Sequence, residues 1–143
     1  INLFNEAGIK PHNIHLSGFS AGGWTALMAA KALPGTFNKG VLFAPAFAGP
    51  RYEARFFPVW RKIIRPKQVK EILKADELEF LIFAYEDDPF NRPIELEFLI
   101  NKGEPYPEII SYNCNEGHFT YRKDCRDEET YKRILYFLSD PDT

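Results

Sequence analysis

The chain has 143 residues, which is enough for one domain with a hydrophobic core. Its hydrophobic fraction of 45% and charged fraction of 27% are those of an ordinary globular protein. The formal net charge of −2 gives no reason to expect nucleic acid or an anionic membrane as a partner, and no apolar run approaches the roughly 20 residues of a membrane-spanning helix.

The amino-terminal residues have the pattern of a helix end. Leu3, Phe4 and Ala7 are spaced as on one face of a helix, and Gly8 follows as a helix stop. The segment has neither the basic region nor the long apolar core of a signal peptide. Because the chain does not begin with methionine, we expect an upstream part of the same protein before it.

A glycine-rich turn follows. A short apolar strand predicted at 14–16 leads into Gly-Phe-Ser-Ala-Gly at 18–22, and a helix predicted from about Gly22 to Leu33 leaves the turn. A serine on such a tight strand-to-helix turn has a strained backbone. The strain lifts its hydroxyl out of the turn, where the carboxyl end of the strand meets the amino end of the helix.

The neighbours of this serine fit a nucleophile. The turn requires that the second residue on each side of Ser20 have almost no side chain, and Gly18 and Gly22 meet that requirement. The backbone N–H of Ala21 is expected to point at a developing oxyanion, which the helix dipole also favours. Strand, turn and helix together predict a nucleophilic Ser20.

Beyond a second apolar strand, predicted at 40–44 and closed by Pro45, the chain changes character. Between residues 51 and 70, aromatic residues are interleaved with seven Lys and Arg and a single Glu, a net charge of +6. One interpretation is an amphipathic helix with a solvated basic face. The other is a cap over an active site, an insertion at about 50–78 whose aromatic residues line an acyl pocket and whose arginines steer an anionic substrate.

The third strand, predicted at 78–85, runs directly into three acids, Glu86, Asp87 and Asp88. A strand at this position places its following loop at the carboxyl edge of a parallel sheet, the same edge as the serine. Pro93 then suits the first turn of another helix.

The fourth strand, predicted at 108–112, leads into a loop that contains His118. The last helix opens with acids at 127–129, which suit its dipole. Its predicted buried face, at i, i+3, i+4 and i+7, consists of Tyr131, Ile134, Leu135 and Leu138. The alternation of strands and helices predicts an α/β fold, in which a parallel sheet is flanked by helices.

Two cysteines, Cys114 and Cys125, lie on either side of His118. They form either a disulfide or two unrelated reduced thiols. Reduced thiols are favoured because cytosolic proteins rarely form bridges, whereas a disulfide would indicate a location outside the cytoplasm. Zinc is not expected, since His118 is the one histidine between them and is needed elsewhere.

Three segments resemble the carboxyl-terminal half of an α/β-hydrolase, and they follow that family's chain order of serine, acid and histidine. The segments are residues 14–23, with a doubled glycine after the serine, 83–89 and 116–119. The first is similar to the elbows of serine esterases, lipases, dienelactone-hydrolase-like enzymes and oligopeptidases. The resemblance implies one domain over 1–143, a partial α/β-hydrolase fold from the elbow strand onward with a short cap at about 50–78.

The resemblance also implies a serine hydrolase that cleaves a carboxylic ester, or a related acyl bond, of a small molecule through an acyl-enzyme on Ser20. His118 would be the general base, because a neutral imidazole can remove a serine proton near pH 7. A carboxylate would hold the imidazole in the right tautomer, and Ala21 N–H would be one oxyanion donor. No metal or organic cofactor is implied, and a peptidase or thioesterase remains open.

The identity of the acid has alternatives. The family usually has G-x-x-D after this strand, which selects Asp88. Tyr85 stands where glycine is common, so a shift of one residue would select Asp87, and Glu86 is the third candidate. The aromatic residues expected at the substrate site are Phe19, Phe47, Phe57, Trp60 and Phe119.

Two features of the family have no counterpart in this sequence. One is the H-G-G-G-like loop that supplies a second oxyanion donor, and the other is the set of strands that normally lie beside the elbow strand. We expect the upstream part of the same protein to complete the sheet. The alternative to an enzyme is a non-catalytic hydrolase-like module that binds its ligand through the cap.

Overall fold

The computed structural model describes residues 2–51, 57–75, 79–102, 107–113, 117–119 and 127–139. Within them, one parallel sheet has the order β1-β2-β3-β4, made of β1 (Leu16–Phe19), β2 (Gly40–Phe43), β3 (Phe80–Tyr85) and β4 (Glu108–Tyr112). The helices are α1 (Asn2–Glu6), α2 (Ala21–Ala32), α3 (Phe57–Ile72), α4 (Pro93–Leu96) and α5 (Glu128–Ser139), with 3₁₀ turns at Pro11–Asn13 and Glu97–Lys102. The predicted α/β fold with a parallel sheet is confirmed.

The carboxyl ends of the strands meet at one edge of the sheet. Phe19, the last residue of β1, lies opposite Phe43, the last residue of β2. Tyr85, the last residue of β3, lies opposite Tyr112, the last residue of β4. The loops that follow β1, β3 and β4 therefore leave the sheet at the same edge. They contain Ser20, Asp88 and His118.

Strand β3 is buried along its whole length, and its side chains alternate between two cores. Its even-numbered residues pack with the inner faces of α2, α3 and α4. Its odd-numbered residues pack with β2, β4 and α5 on the other face of the sheet. Burial on both faces explains why this strand reads as one continuous apolar run.

Helix α5 turns a different face to the sheet than predicted. Tyr131 and Leu135, two of the four residues expected inside, are 54% and 67% exposed. The inner face instead carries Phe137, which packs on the core together with Ile134 and Leu138, and the buried Thr130. The prediction was wrong because it assigned only apolar residues to the inner face, and Thr130 is polar. Thr130 can be buried because its hydroxyl donates to Asp127 and lies 3.2 Å from the Tyr112 hydroxyl.

The segment predicted as an insertion contains α3, and the second half of this helix belongs to the domain core. Ile72 is fully buried, and Ile64 and Val69 pack against the same cluster. Val59 and Trp60, in the first turns of α3, are exposed. That this first half caps a substrate site stays a prediction.

One expectation from the sequence concerns residues outside the described ranges. Cys114 and Cys125 both lie there, so their pairing stays a prediction. Within the described part of the chain, none of the helices is both long enough and apolar enough to span a bilayer.

Candidate active site

Ser20 lies in the turn between β1 and α2 in a strained conformation. Its φ of 56° and ψ of −124° are rare for a residue with a side chain. The surrounding backbone holds this conformation. Ser20 N–H donates to the Phe43 carbonyl at 3.0 Å, and the Ser20 carbonyl accepts from Gly23 and Ala46 N–H, each at 2.9 Å. The nucleophile-elbow conformation is thus anchored to β2 as well as to α2.

The glycines of this turn do not all have the role that was predicted. A Cβ at Gly18 would overlap the backbone carbonyl of Gly22, so glycine is required there. A Cβ at Gly22 meets no described atom within 4 Å, so the prediction for Gly22 is wrong. The second position that needs glycine is Gly23, where a Cβ would lie 2.9 Å from Cα of Pro45. This glycine lets α2 approach the loop after β2.

The structure brings Ser20, His118 and Asp88 into one hydrogen-bonded row. The Ser20 Oγ to His118 Nε2 distance is 2.6 Å, and the His118 Nδ1 to Asp88 Oδ2 distance is 2.8 Å. An ionised carboxylate only accepts hydrogen bonds, so such a carboxylate at Asp88 requires the tautomer with the proton on Nδ1. Nε2 of a neutral imidazole then accepts from the serine hydroxyl, which is the arrangement that a general base requires.

Asp88 is held from both sides. Its second oxygen, Oδ1, accepts from Phe90 N–H at 2.6 Å and from Asn91 N–H at 3.3 Å, and the residue is 1% exposed. The Asn91 side chain in turn donates to the Pro45 carbonyl at 2.9 Å. These bonds fix the direction in which the carboxylate faces His118.

The other two candidate acids lie elsewhere. Asp87 Oδ2 accepts from the backbone N–H of Gly117 at 2.6 Å. Glu86 is exposed and accepts from the Ser111 hydroxyl at 2.9 Å. Of the three acids, Asp88 is therefore the one placed against the imidazole.

Two aromatic rings pack beside the imidazole. The Phe90 ring centroid lies 4.4 Å from that of His118, and the Phe19 centroid lies 5.2 Å from it. Phe19 was expected at the site from the sequence, whereas Phe90 was missed. The sequence signal that could have identified Phe90 is its position two residues after Asp88, because the loop that holds Asp88 against His118 also places Phe90 beside that ring.

The other expected substrate residues have different surroundings. Phe47 is buried in the core, with its ring centroid 5.4 Å from Trp24 and 6.4 Å from Phe98, so we leave it out of the substrate site. Trp60 and Phe119 are exposed. The side chain of Phe57 lies outside what the structure describes.

Arg61 of α3 connects two loops and the helix α4. It is buried, and its guanidinium donates to the Phe47 and Gly49 carbonyls at 3.2 and 2.9 Å. It also donates to Asn91 Oδ1 and Glu95 Oε1, each at 2.9 Å. Arg61 thus joins α3 to the loop after β2 and to the loop that carries the acid.

Two more of the arginines expected to steer a substrate bind within the protein. Arg51 donates to the Asp88 carbonyl at 2.5 Å, and Arg65 donates to the Glu95 carbonyl. Burial, with the nearby charge of Arg61, lowers the pKa of Arg65. These guanidinium groups are committed to internal acceptors, and the steering interpretation of the basic segment stays a prediction. Lys62, Lys67 and Lys70 are exposed, as the solvated-face interpretation requires.

Glu95 is the anion at the centre of these arginines. It pairs with Arg61 and lies 3.6 Å from Arg51 Nε. Burial alone would raise the pKa of the Glu95 carboxyl, but the Arg92 N–H and the Arg61 guanidinium outweigh burial and hold that pKa below its ordinary value. Glu95 is therefore charged at neutral pH.

Ala21 is the first residue of α2 and directly follows Ser20. The first N–H groups of a helix have no acceptor inside the helix and carry the positive end of its dipole. This position suits the oxyanion role expected for Ala21. Elsewhere in the described ranges, no group of three or more His, Cys, Asp or Glu side chains is placed to hold a metal ion.

A cavity of about 330 Å³ lies at the opposite, amino-terminal edge of the sheet. Leu16, Lys39, Glu79 and Phe80 are among the residues that line it. Because Ser20, Asp88 and His118 do not line it, this cavity is separate from the row described above.

Comparisons with known proteins give structural matches alone. Neither a protein-family model nor a curated protein sequence matches the chain. Dipeptidyl peptidase 4 of Porphyromonas gingivalis matches with a TM-score of 0.65 and 21% identity, over 95% of this chain and 20% of that one. A puromycin hydrolase matches with a TM-score of 0.60 and 21% identity, over 96% of this chain and 22% of that one.

A third match is an alpha/beta hydrolase enzyme from the metagenome of sediments from the lagoon of Mar Chica, Morocco. Its TM-score is 0.64 at 18% identity, over 99% of this chain and 67% of that one. The chain therefore spans about a fifth of the length of the first two proteins and two thirds of the third.

Proposed function

For a chain that has part of the α/β-hydrolase fold, we propose the activity of a serine hydrolase with Ser20 as nucleophile, His118 as general base and acid, and Asp88 as the orienting carboxylate. The observation that carries the proposal is the row of two hydrogen bonds that joins these three side chains, at 2.6 and 2.8 Å. The strained Ser20 backbone supports it, because strain of this kind concentrates at functional sites.

The reaction begins with acylation of Ser20. His118 Nε2 takes the hydroxyl proton as Oγ attacks the substrate carbonyl carbon, and the carbonyl oxygen becomes an oxyanion that Ala21 N–H stabilises. Asp88 stabilises the imidazolium that forms. The imidazolium then gives its proton to the leaving group as the bond to that group breaks, which leaves an acyl-enzyme.

Deacylation repeats these steps with water. His118 removes a proton from water, whose oxygen attacks the acyl carbon of the ester on Ser20. The second tetrahedral intermediate collapses as Nε2 returns the proton to Ser20 Oγ. The products are a carboxylic acid and the free enzyme, and the reaction needs no metal or organic cofactor to balance.

The proposed substrate bond is a carboxylic ester of a small molecule, as the elbow resemblance implies. An amide bond is the second candidate, because two of the matched structures are a dipeptidyl peptidase and a puromycin hydrolase. An ester and an amide with the same acyl group would separate the two candidates. Hydrolysis of the ester alone would support the first, and comparable kcat/KM values for both would support the second.

The proposal includes the upstream part of the same protein as a structural partner. β1 pairs with β2 on one side, and among the described strands none pairs with its other side. We infer that the upstream part covers this edge and supplies a second oxyanion donor. The experiments below therefore use the intact protein.

A fluorophosphonate probe tests the assignment of Ser20. The intact protein should be labelled once, and Ser20→Ala should abolish labelling. Ser17→Ala is the matched control, because Ser17 is an exposed serine of β1 three residues away and should label like the wild type. Labelling that survives Ser20→Ala would contradict the proposal. A folded wild-type protein that is not labelled but binds ester analogues would support the non-catalytic module instead.

A further inference from the structure

We propose that Asp87 is a positioning residue that holds the loop of His118 in register with Ser20. This inference rests on the proposed function. Its observation is the hydrogen bond from the Gly117 backbone N–H to Asp87 Oδ2, at 2.6 Å. Gly117 is the residue immediately before the histidine.

Neighbouring acids at the end of β3 hold neighbouring residues of the histidine loop. Asp87 binds the backbone of Gly117, and Asp88 binds the ring of His118. Both pairs are 30 residues apart, whereas the paired residues of β3 and β4, such as Tyr85 and Tyr112, are 27 apart, so the two contacts share one offset of their own beyond the end of the sheet. One acid sets where the loop lies, and the other sets how the imidazole is oriented.

The bond matters because the residue that it holds is a glycine. Its φ of +56° lies in the left-handed region, and glycine has more backbone conformations available than any other residue. A residue that is free to adopt several conformations does not by itself place the next residue. A short hydrogen bond from its N–H to a side-chain oxygen restricts that freedom.

The surroundings of the other oxygen of Asp87 indicate that this side chain does more than stabilise the fold. Oδ1 is buried and has no hydrogen-bond partner within the described residues. A buried carboxylate oxygen without a partner lowers stability. The favourable bond that the structure records for this side chain is the one to the histidine loop.

The inference predicts an effect on kcat. Loss of the Gly117 bond lets the loop shift, and a displacement of about 1 Å at a catalytic group can lower the rate on the order of 10²-fold. Asp87→Ala should therefore lower kcat by about 10- to 100-fold while KM changes little. Asp87→Asn keeps an acceptor oxygen at the same distance and should retain most of the activity.

Two further variants separate position from charge. Asp87→Glu keeps the charge on a longer side chain, so a positioning role ranks Asn above Glu in kcat, whereas a role of charge alone ranks Glu above Asn. Glu86→Gln is the matched control, because Glu86 belongs to the same loop and binds Ser111 rather than the histidine loop. Its kcat should equal that of the wild type within about twofold.

The closing experiment measures kcat and KM of the intact wild type and these four variants, together with the amide proton resonance of Gly117 by NMR. The inference predicts that this resonance moves upfield in Asp87→Ala and stays near its wild-type position in Asp87→Asn. A wild type without hydrolase activity would overturn the proposed function, and the Gly117 resonance would still report on the bond. An active wild type with an unchanged kcat in Asp87→Ala, or a ranking of Glu above Asn, would overturn the inference.

Discussion

Two carboxylates near the carboxyl-terminal edge of the sheet have different kinds of partner. Asp88 faces the imidazole of His118 and two backbone N–H groups. Glu95 faces the guanidinium groups of Arg51 and Arg61. Asn91 connects the two, since its backbone N–H reaches Asp88 and its amide oxygen accepts from Arg61.

The difference in partners suggests different roles, catalysis for Asp88 and stability of the fold for Glu95. A carboxylate beside an imidazole suits a proton-transfer step, whereas a carboxylate among guanidinium groups suits an ion-pair network. We therefore expect changes at Asp88 to act mainly on the rate, and changes around Glu95 to act mainly on the free energy of unfolding. The following three substitutions test that division, beginning with the largest effect.

Asp88→Asn should lower kcat on the order of 10⁴-fold, as in other triads of this type, because the amide favours the wrong imidazole tautomer. Its stability should change less, since an amide oxygen can still accept from Phe90 and Asn91 N–H. Steady-state kinetics and urea unfolding measure the two effects. Asp87→Asn serves as the control and should be mild. If Asp87→Asn were the more damaging variant, Asp87 would be the acid of the triad.

Arg61→Met should lower the free energy of unfolding by about 3–5 kcal/mol, because it leaves part of a buried charge network uncompensated. Lys62→Met, at the exposed neighbouring position, should lie within about 0.5 kcal/mol of the wild type. Urea unfolding of both variants gives the comparison. An Arg61→Met protein as stable as Lys62→Met would show that the network around Glu95 does not support the fold.

Glu95→Gln should have a smaller effect that depends on pH. Because the folded-state pKa of Glu95 is lowered, its charged form stabilises the fold above the ordinary value of about 4.5, and this contribution is lost as the pH falls through the lower folded-state pKa. The difference in unfolding free energy between wild type and Glu95→Gln should therefore be largest near pH 7 and shrink below pH 4.5. A difference that stays constant between pH 7 and pH 3 would contradict this account.

The candidate residues Ser20, Asp88 and His118, which the structure places in one row, could be selected from the sequence because their signals are local. The turn that contains Ser20 requires a glycine at position 18, and Asp88 lies shortly after the end of an apolar strand. The carboxyl ends of parallel strands lie at one edge of the sheet, so the order of strands and loops along the chain was enough to predict that these loops lie close together. The strand limits were less accurate at the elbow, where β1 includes Gly18 and Phe19 rather than ending at 16.

Features that depend on packing at a distance could not be predicted. The basic pattern of α3 gave no sign that Arg61 reaches the Phe47 carbonyl, because a long side chain can turn toward either solvent or protein. The inner face of α5 was misassigned because Thr130 is buried through its hydrogen bonds rather than its apolarity. Position 23 requires glycine because a side chain there would overlap Pro45, which lies 22 residues later in the chain. No local sequence pattern contains that contact.

The central claim is that Ser20 carries the acyl group during turnover, and trapping that intermediate tests it most directly. The intact protein would be mixed with a chromogenic carboxylic ester, quenched in acid within one turnover, and analysed by intact mass and peptide mapping. We predict one acyl adduct, on the peptide that contains Ser20, and neither adduct nor rapid product release in Ser20→Ala. An adduct on another residue, or product release by Ser20→Ala at the wild-type rate, would contradict the account.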